Sequence, residues 1–332
     1  MKKVYFFSGG EISLNWTSEF NELVNINPDE IFILSSTEIY IEQNWGALLD
    51  ILQPWLAENN KIAKIITPHL NNVWIRPNII AEQSWAMIES VLPLYKDKEY
   101  ETLKINKVYS SYMFRPTESR GRLLDTLIKR NLLEEGYVTY HQPSCKSYNN
   151  FKYWNNDPIT IEEEQYSKNS VDHFTDPIFY RNSFIDVVTE ASHEEGLFFL
   201  TEKTIRAIMH EKPFIVIGST YFHNRYLKEY FKLELYDEII DYTFDNEECL
   251  QCRINDVVDN VENLISKRHE LNNLYKKLLP KLQYNKRRLE EIFNEQSLII
   301  PEALQPLTDC NVLYESYGAT NSLLALINTL RT

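Results

Sequence analysis

At 332 residues the chain is too long for one ordinary core, and about two domains are expected at the usual ~100–200 residues each. Hydrophobic residues make up 43% and charged residues 25%, the balance of a soluble globular protein, and no stretch approaches the ~18 apolar residues of a membrane span. The formal net charge of −14 repels polyanions over the surface at large, which argues against a general nucleic-acid binder while leaving room for a local basic groove.

The start, MKKVYFF, has the basic residues of a signal peptide, but its apolar run breaks at Ser8, Gly9, Gly10 and Glu11. A first β-strand over residues 3–7 is the better reading, and a cytoplasmic location follows by default. A glycine pair there lets backbone approach a ligand closely at the carboxyl edge of a parallel sheet. Apolar spacing then predicts helix over 16–24, strand over 30–34, helix over 45–56 interrupted near Pro54, and strand over 61–66. Residues 73–75 add a short strand. Residues 79–94 read as an amphipathic helix burying Ile80, Trp85, Ile88 and Val91. This alternation predicts a parallel sheet covered on both faces.

The charged run YKDKEYETLK, residues 95–104, marks a domain boundary, after which the pattern starts afresh. A strand over 107–114 leads to a helix over 120–134 with Gly136 as its C-cap, then to a strand over 137–140. Residues 144–177, rich in Asn, Tyr and Asp, read as a long loop beside a site. Residues 184–188 form a buried strand, followed by acidic residues that include Glu190. A helix starts at Thr201 with Ile205, Ile208 and Met209 on its apolar face, and Pro213 leads into a strand over 214–217 that ends at Gly218. Further helices are expected over 224–230, over 255–279 ended by Pro280, over 282–293 and over 322–330. Residues 235–240 make a short strand or turn. The domains are therefore 1–100, 101–300 and a tail, 301–332, able to pack back on the first. The fold class is α/β with two Rossmann-like halves.

Four cysteines do not make a disulfide framework at this length. Cys249 and Cys252 form a C-x-x-C without a second pair or a neighbouring histidine, and read as ordinary buried thiols. The basic cluster of Lys276, Lys277, Lys281, Lys286, Arg287 and Arg288 reads as a solvated helical face.

The richest chemistry lies in residues 184–219. A helix that follows a parallel strand presents unpaired N–H groups and the positive end of its dipole, an anion site suited to phosphate. Thr201 can cap it, Lys203 adds a full charge, and Glu202 can accept bonds from sugar hydroxyls. The same residues also make an ordinary helix start. Glu190, at the carboxyl end of a parallel strand, is either a site residue or a loop acid.

VVTEAS, FLTEKTIRAI and KPFIVIGS, in that order, resemble the signature of the α-1,3-fucosyltransferases. In that family Phe-Glu-Asn-Ser, Tyr-(Val/Ile)-Thr-Glu-Lys and a proline-led strand ending in Gly-Ser hold a nucleotide-sugar donor in the C-terminal domain of a GT-B fold. The resemblance covers about a tenth of the chain. It implies two Rossmann-like domains facing a cleft, with Glu202 and Lys203 on the ribose and pyrophosphate and Glu190 near the donor sugar. Thr201, Pro213, Gly218 and Ser219 match the remaining positions. Ala191 stands in place of the asparagine, and Phe199 with Leu200 in place of the tyrosine and its neighbour. The family's phosphate-binding arginine corresponds to Arg115, Arg120 or Arg122, and the glycine turn between the latter two favours them.

The implied reaction is transfer of a sugar from a nucleoside-diphosphate sugar to an acceptor hydroxyl, inverting and independent of a metal. Lysine, arginine and helix N–H groups can stabilise the departing diphosphate, and no Asp-x-Asp motif stands in a strand-end loop. The base is expected from the N-terminal domain, at Glu11 or Glu38. The acceptor is a glycan, a lipid-linked sugar, a protein or a hydroxylated base in DNA. Two other readings remain open: a non-catalytic nucleotide-binding module, and an α/β binding protein without a nucleotide site.

Overall fold

The computed structural model describes residues 2–7, 21, 24–28, 30–35, 50, 52–67, 77–83, 105–113, 117–140, 181–190, 200–308 and 312–317. Among them the strands are β1 (Lys2–Phe7), β2 (Glu30–Ser35), β3 (Ala63–Thr67), β4 (Ile79–Gln83), β5 (Lys107–Met113), β6 (Gly136–Tyr140), β7 (Ser183–Thr189), β8 (Phe214–Ile217) and β9 (Val312–Tyr317). The principal helices are α1 (Glu118–Lys129), α2 (Glu202–Met209), α3 (Leu250–Ser266) and α4 (Leu271–Thr308). Every strand pairing is parallel, and the class is α/β.

The chain divides into two compact units, Met1–Ser90 with Phe293–Thr332, and Val91–Ile292. The first holds a five-stranded sheet in the order β4-β3-β2-β1-β9. Its last strand comes from the far end of the sequence and runs beside β1, Lys2 opposite Val312 and Phe7 opposite Tyr317. The helix expected over 322–330 lies outside the described residues.

One expectation fails in this unit. Residues 79–83 form β4, not the start of a helix, with Ile79 to Gln83 in register with Ala63 to Thr67. Asn78 takes φ 66° and turns the chain into the extended run. Its carbonyl accepts the Ala63 N–H, and its amide donates to the Lys61 carbonyl, so β3 and β4 enter the sheet together. The apolar pattern fits either period over so short a run, and pairing with a neighbouring strand decides between them. Residues 84–94 lie outside the described residues.

The second unit carries a four-stranded sheet in the order β6-β5-β7-β8. All residues of β7 and β8 are buried, the mark of strands covered on both faces. Three helical runs end alike. Asn60, Asn131 and Glu211 have φ of 50°, 57° and 52°. The next residue's N–H in each case reaches back five positions, to the carbonyls of Leu56, Leu127 and Ala207. These are Schellman stops, and two of them use asparagine, which tolerates the left-handed region.

Gly136 accordingly does not cap α1, whose C-cap is Arg130, but follows the 3-10 turn Leu133–Glu135 as its C-cap. It opens β6 with φ −129°, and a Cβ placed on it would overlap the ring of Tyr109 on the neighbouring strand. Glycine is needed there for close approach. Pro280 likewise does not end a helix. The break falls earlier, at the 3-10 turn Arg268–Glu270, and α4 runs through Pro280 with Leu278 and Leu282 buried on either side. Burial outweighs the lost hydrogen bond.

Beyond β8 the chain forms a π-helix, Phe222–Tyr230, which returns the His223 imidazole to the sheet. His223 Nε2 accepts the Val216 N–H at 3.0 Å, so an edge group of β8 is satisfied by a side chain. Its Nδ1 lies 2.9 Å from Asp245 Oδ1. Because Nε2 accepts, Nδ1 carries the proton and donates it to the carboxylate. Asp245 also accepts the N–H groups of His223 and Asn224. Burial works to raise its carboxyl, but the bonds from His223 and Asn224 outweigh this and hold it below the ordinary value.

Candidate functional site

Strand order decides where a ligand can lie in the second unit. From β5 the chain steps to β6 on one side, whereas β7 and β8 extend the sheet on the other, so the order reverses between β5 and β7. In open parallel sheets the connections leaving the carboxyl ends at such a reversal diverge and leave a crevice. Helix α1 follows β5 and α2 follows β7, so both begin at that edge.

Arg120 lies in the first turn of α1, whose N-cap is Thr117. Its side chain is buried and crosses to the end of β7, Nε donating to Thr189 Oγ1 at 3.1 Å and Nη2 to the Thr189 carbonyl at 3.4 Å. Tyr140, at the carboxyl end of β6, feels the same cation: burial pushes its phenol up and Arg120 partly opposes the rise. A guanidinium thus sits among the ends of the strands on both sides of the reversal. Arg122 is turned elsewhere. It bonds Glu118 Oε1 at 2.9 and 2.6 Å within its own helix and Gln251 Oε1 of α3 at 3.4 Å.

The start of α2 is closed by a carboxylate from its own chain. Glu190 is 1% exposed; Oε1 accepts the Thr201 N–H at 3.2 Å and the Thr204 hydroxyl at 2.6 Å, and Oε2 accepts the Thr201 hydroxyl at 2.5 Å. Burial raises its carboxyl above the ordinary range, against the pull of Lys203, Thr201 and Thr204. Thr201 in turn accepts the Lys203 N–H at 3.3 Å as the N-cap. Glu190 therefore occupies the place an external anion would take deepest against the helix end. Glu202 and Lys203 follow Thr201 in the first turn of the same helix.

Those two side chains are paired, Lys203 Nζ lying 2.6 Å from Glu202 Oε1. Both are partly exposed. Burial works to raise the Glu202 carboxyl, but the adjacent Lys203 ammonium outweighs it and holds the group below its ordinary value. Lys203 also reaches Thr201 Oγ1 at 3.4 Å. A diphosphate and a ribose hydroxyl could take the two halves of this pair, each replacing one partner of a charge-assisted bond with another.

Gly218 and Ser219 leave the carboxyl end of β8, next to β7, where the Glu190 N–H donates to the Ile217 carbonyl at 3.0 Å. A Cβ on Gly218 would lie 3.0 Å from the Phe222 ring, so packing from below already restricts this position. The hydroxyls of Ser219 and Thr220 are buried and have no hydrogen-bond partner among the described residues, an arrangement that costs about 1–3 kcal/mol per group unless water or a ligand satisfies it. Thr220 is followed by Tyr221 in the left-handed region at φ 61°, its ring exposed. Sequence reasoning missed Thr189, Thr204 and Thr220. Their signal is a small hydroxyl residue at a strand end or in a helix's first turn, which is too common to stand out.

Glu11 and Glu38, the candidate bases, lie outside the described residues, as do Arg115, Ala191 and Phe199. A second polar group sits toward the amino ends of the strands. Lys212 is fully buried, and its ammonium donates to Ser110 Oγ at 2.8 Å and Ser183 Oγ at 2.6 Å. Asp186 accepts from Ser110 at 3.0 Å, and Arg206 lies 3.8 Å from Asp186 and over the Tyr112 ring. Burial pulls Lys212 down to about 7, with Asp186 opposing and Arg206 assisting. This cluster ties β5, β7 and the entry to β8.

Cys249 and Cys252 are not buried; both are exposed. Their motif opens α3, with Cys249 as N-cap. The chain matches no known family pattern, no characterised protein and no solved structure at a significant level.

Proposed function

We propose that the protein is a glycosyltransferase of GT-B arrangement that binds a nucleoside-diphosphate sugar at the carboxyl edge of the β6-β5-β7-β8 sheet and transfers the sugar to an acceptor hydroxyl. The observation that carries this reading is the gathering of Arg120, Glu202, Lys203 and the Gly218–Thr220 turn at one edge of one parallel sheet, around the reversal of strand order. Arg120 and Lys203 supply positive charge from the starts of two helices. Together they suit the charge that develops on a diphosphate as the glycosidic bond breaks.

In this reading Glu190 does not touch the donor. It locks Thr201 and Thr204 and so holds the helix start in place. The proton of the acceptor hydroxyl goes to a carboxylate of the first unit, Glu11 or Glu38, and the chemistry proceeds without a metal.

A second reading, a nucleotide-binding module without transfer, is favoured by the Lys203–Glu202 pair, in which the lysine charge already has a carboxylate partner. Both are tested by thermal shift against a panel of nucleoside diphosphates, followed by a donor screen that follows nucleotide release. A ligand at ~100 times its dissociation constant stabilises by ~2.7 kcal/mol. Lys203→Ala is expected to lose most of that shift. Nucleotide release from one donor supports transfer, and a shift without release under any donor and acceptor mixture supports the binding module. If no nucleotide shifts the melting temperature, both readings are wrong.

A further inference from the structure

The C-x-x-C motif belongs to a cluster that the donor site does not use. Cys249 has the extended backbone of an N-cap, and its sulfur accepts the Cys252 N–H at 3.4 Å. The 17-residue helix α3 therefore opens with one thiol at its cap and a second one turn in, facing the same end. Glu247, two residues earlier, turns its carboxylate to the same place: Oε1 accepts the Cys249 N–H at 2.9 Å. Arg253 Nη1 donates to the Glu247 carbonyl at 2.6 Å and fixes the backbone there. Ligand atoms from Glu247, Cys249 and Cys252 all fall within 4.8 Å of one another.

We propose that these three residues bind one thiophilic divalent cation of the Zn2+ class, through two thiolates and one carboxylate, with the fourth position open to solvent. Zn–S bonds of about 2.3 Å at tetrahedral angles put two sulfurs about 3.8 Å apart, and the ligand atoms here already lie within 4.8 Å of one another. Glu247 keeps Oε1 on the Cys249 N–H and has Oε2 for the ion, the arrangement in which an outer hydrogen bond orients a ligand. Both cysteines are exposed, which gives the ion a path in.

The surrounding charge favours a cation. Glu247 acts on both thiols, Asp256 acts on Cys252, and Asp256 itself feels Asp241 and Asp259. Arg253 opposes these carboxylates at Glu247 and Cys249, and the carboxylates outnumber it, a balance that draws a divalent cation. Metal binding displaces the protons from both thiols. The ion would brace the start of α3, whose Gln251 bonds Thr126 and Arg122 of α1.

The test uses the full chain, reduced and stripped of metal, titrated with Cd2+ or Co2+ alone. Expected are a saturable thiolate-to-metal charge-transfer band at one equivalent, release of protons, and a raised melting temperature. The band should persist in Cys145→Ser and Cys310→Ser, vanish in Cys249→Ser and Cys252→Ser, and require at least tenfold more metal in Glu247→Gln. Circular dichroism checks the fold of each variant. Absence of the band in folded, reduced protein overturns the site, as does unchanged affinity in Glu247→Gln. A readily formed Cys249–Cys252 disulfide in protein that takes up no metal overturns it in favour of redox chemistry.

Discussion

Arg120 donates to both the hydroxyl and the carbonyl of Thr189, so a cation from the first turn of α1 is fixed to the last residue of β7, across the reversal of strand order. The two residues are separated by a long span of sequence, and only the parallel pairing of β5 with β7 brings them together. This bond aims the guanidinium at the sheet edge where a diphosphate is proposed to bind.

Thr189→Val removes the hydroxyl that accepts from Arg120 Nε and leaves the Thr189 carbonyl in place. It is expected to weaken nucleoside-diphosphate binding several-fold by calorimetry, while Arg122→Ala, which removes bonds to Glu118 and Gln251, leaves binding unchanged. Equal losses in the two variants would remove Arg120 from the site.

Glu190→Gln keeps the shape of the side chain but offers one acceptor oxygen where three donors now converge on two. A loss of about 1–3 kcal/mol in urea unfolding is expected at pH 7. Burial raises the folded-state carboxyl above its unfolded value, so the folded state holds the proton longer. The stabilising contribution is present in acid and is lost as pH rises through the folded value. The deficit of the variant relative to the native chain should therefore change across that window and be flat above it.

Lys212 gives the opposite slope. Its folded value of about 7 lies below the unfolded value of 10.5, so between them the unfolded chain binds the extra proton. Stability should rise with pH across that window by up to about 1.4 kcal/mol per pH unit, the limit for one proton. Lys212→Met is expected to flatten the profile from pH 7 upward. A native profile that is already flat there would show that the buried ammonium is not strained.

Gly136→Ala drives a methyl group into the Tyr109 ring and is expected to cost about 1–3 kcal/mol. Tyr109→Leu, by removing the ring, should make the second substitution nearly neutral in a double-mutant cycle.

Much of the parallel-strand framework was readable from the chain because β7 and β8 are short, largely apolar runs, and fully buried strands advertise themselves this way. Thr201 as a cap was equally legible, since its signal is local. Residues 79–83 were not, because their fate depends on pairing with β3 rather than on their own period. Gly136 was assigned to a helix end for the same reason: only the ring on the neighbouring strand explains it. At the site, residue types were visible but partners were not. Nothing in the spacing says that Glu190 is spent on Thr201 and Thr204, or that Arg120 rather than Arg122 turns toward β7. Such choices are made by the facing of neighbouring elements, which a linear pattern does not encode.

The pairing of β9 with β1 bears on the order of folding during synthesis. While the ribosome is still making the segments after β1, the outer edge of that strand presents an unfilled ladder of N–H and C=O groups. The Val91–Ile292 unit is complete in sequence before β9 emerges, so it can fold first while the other unit waits for its final strand. A nascent chain stalled before Val312 would be the species most exposed to mispairing, and the one most in need of a chaperone.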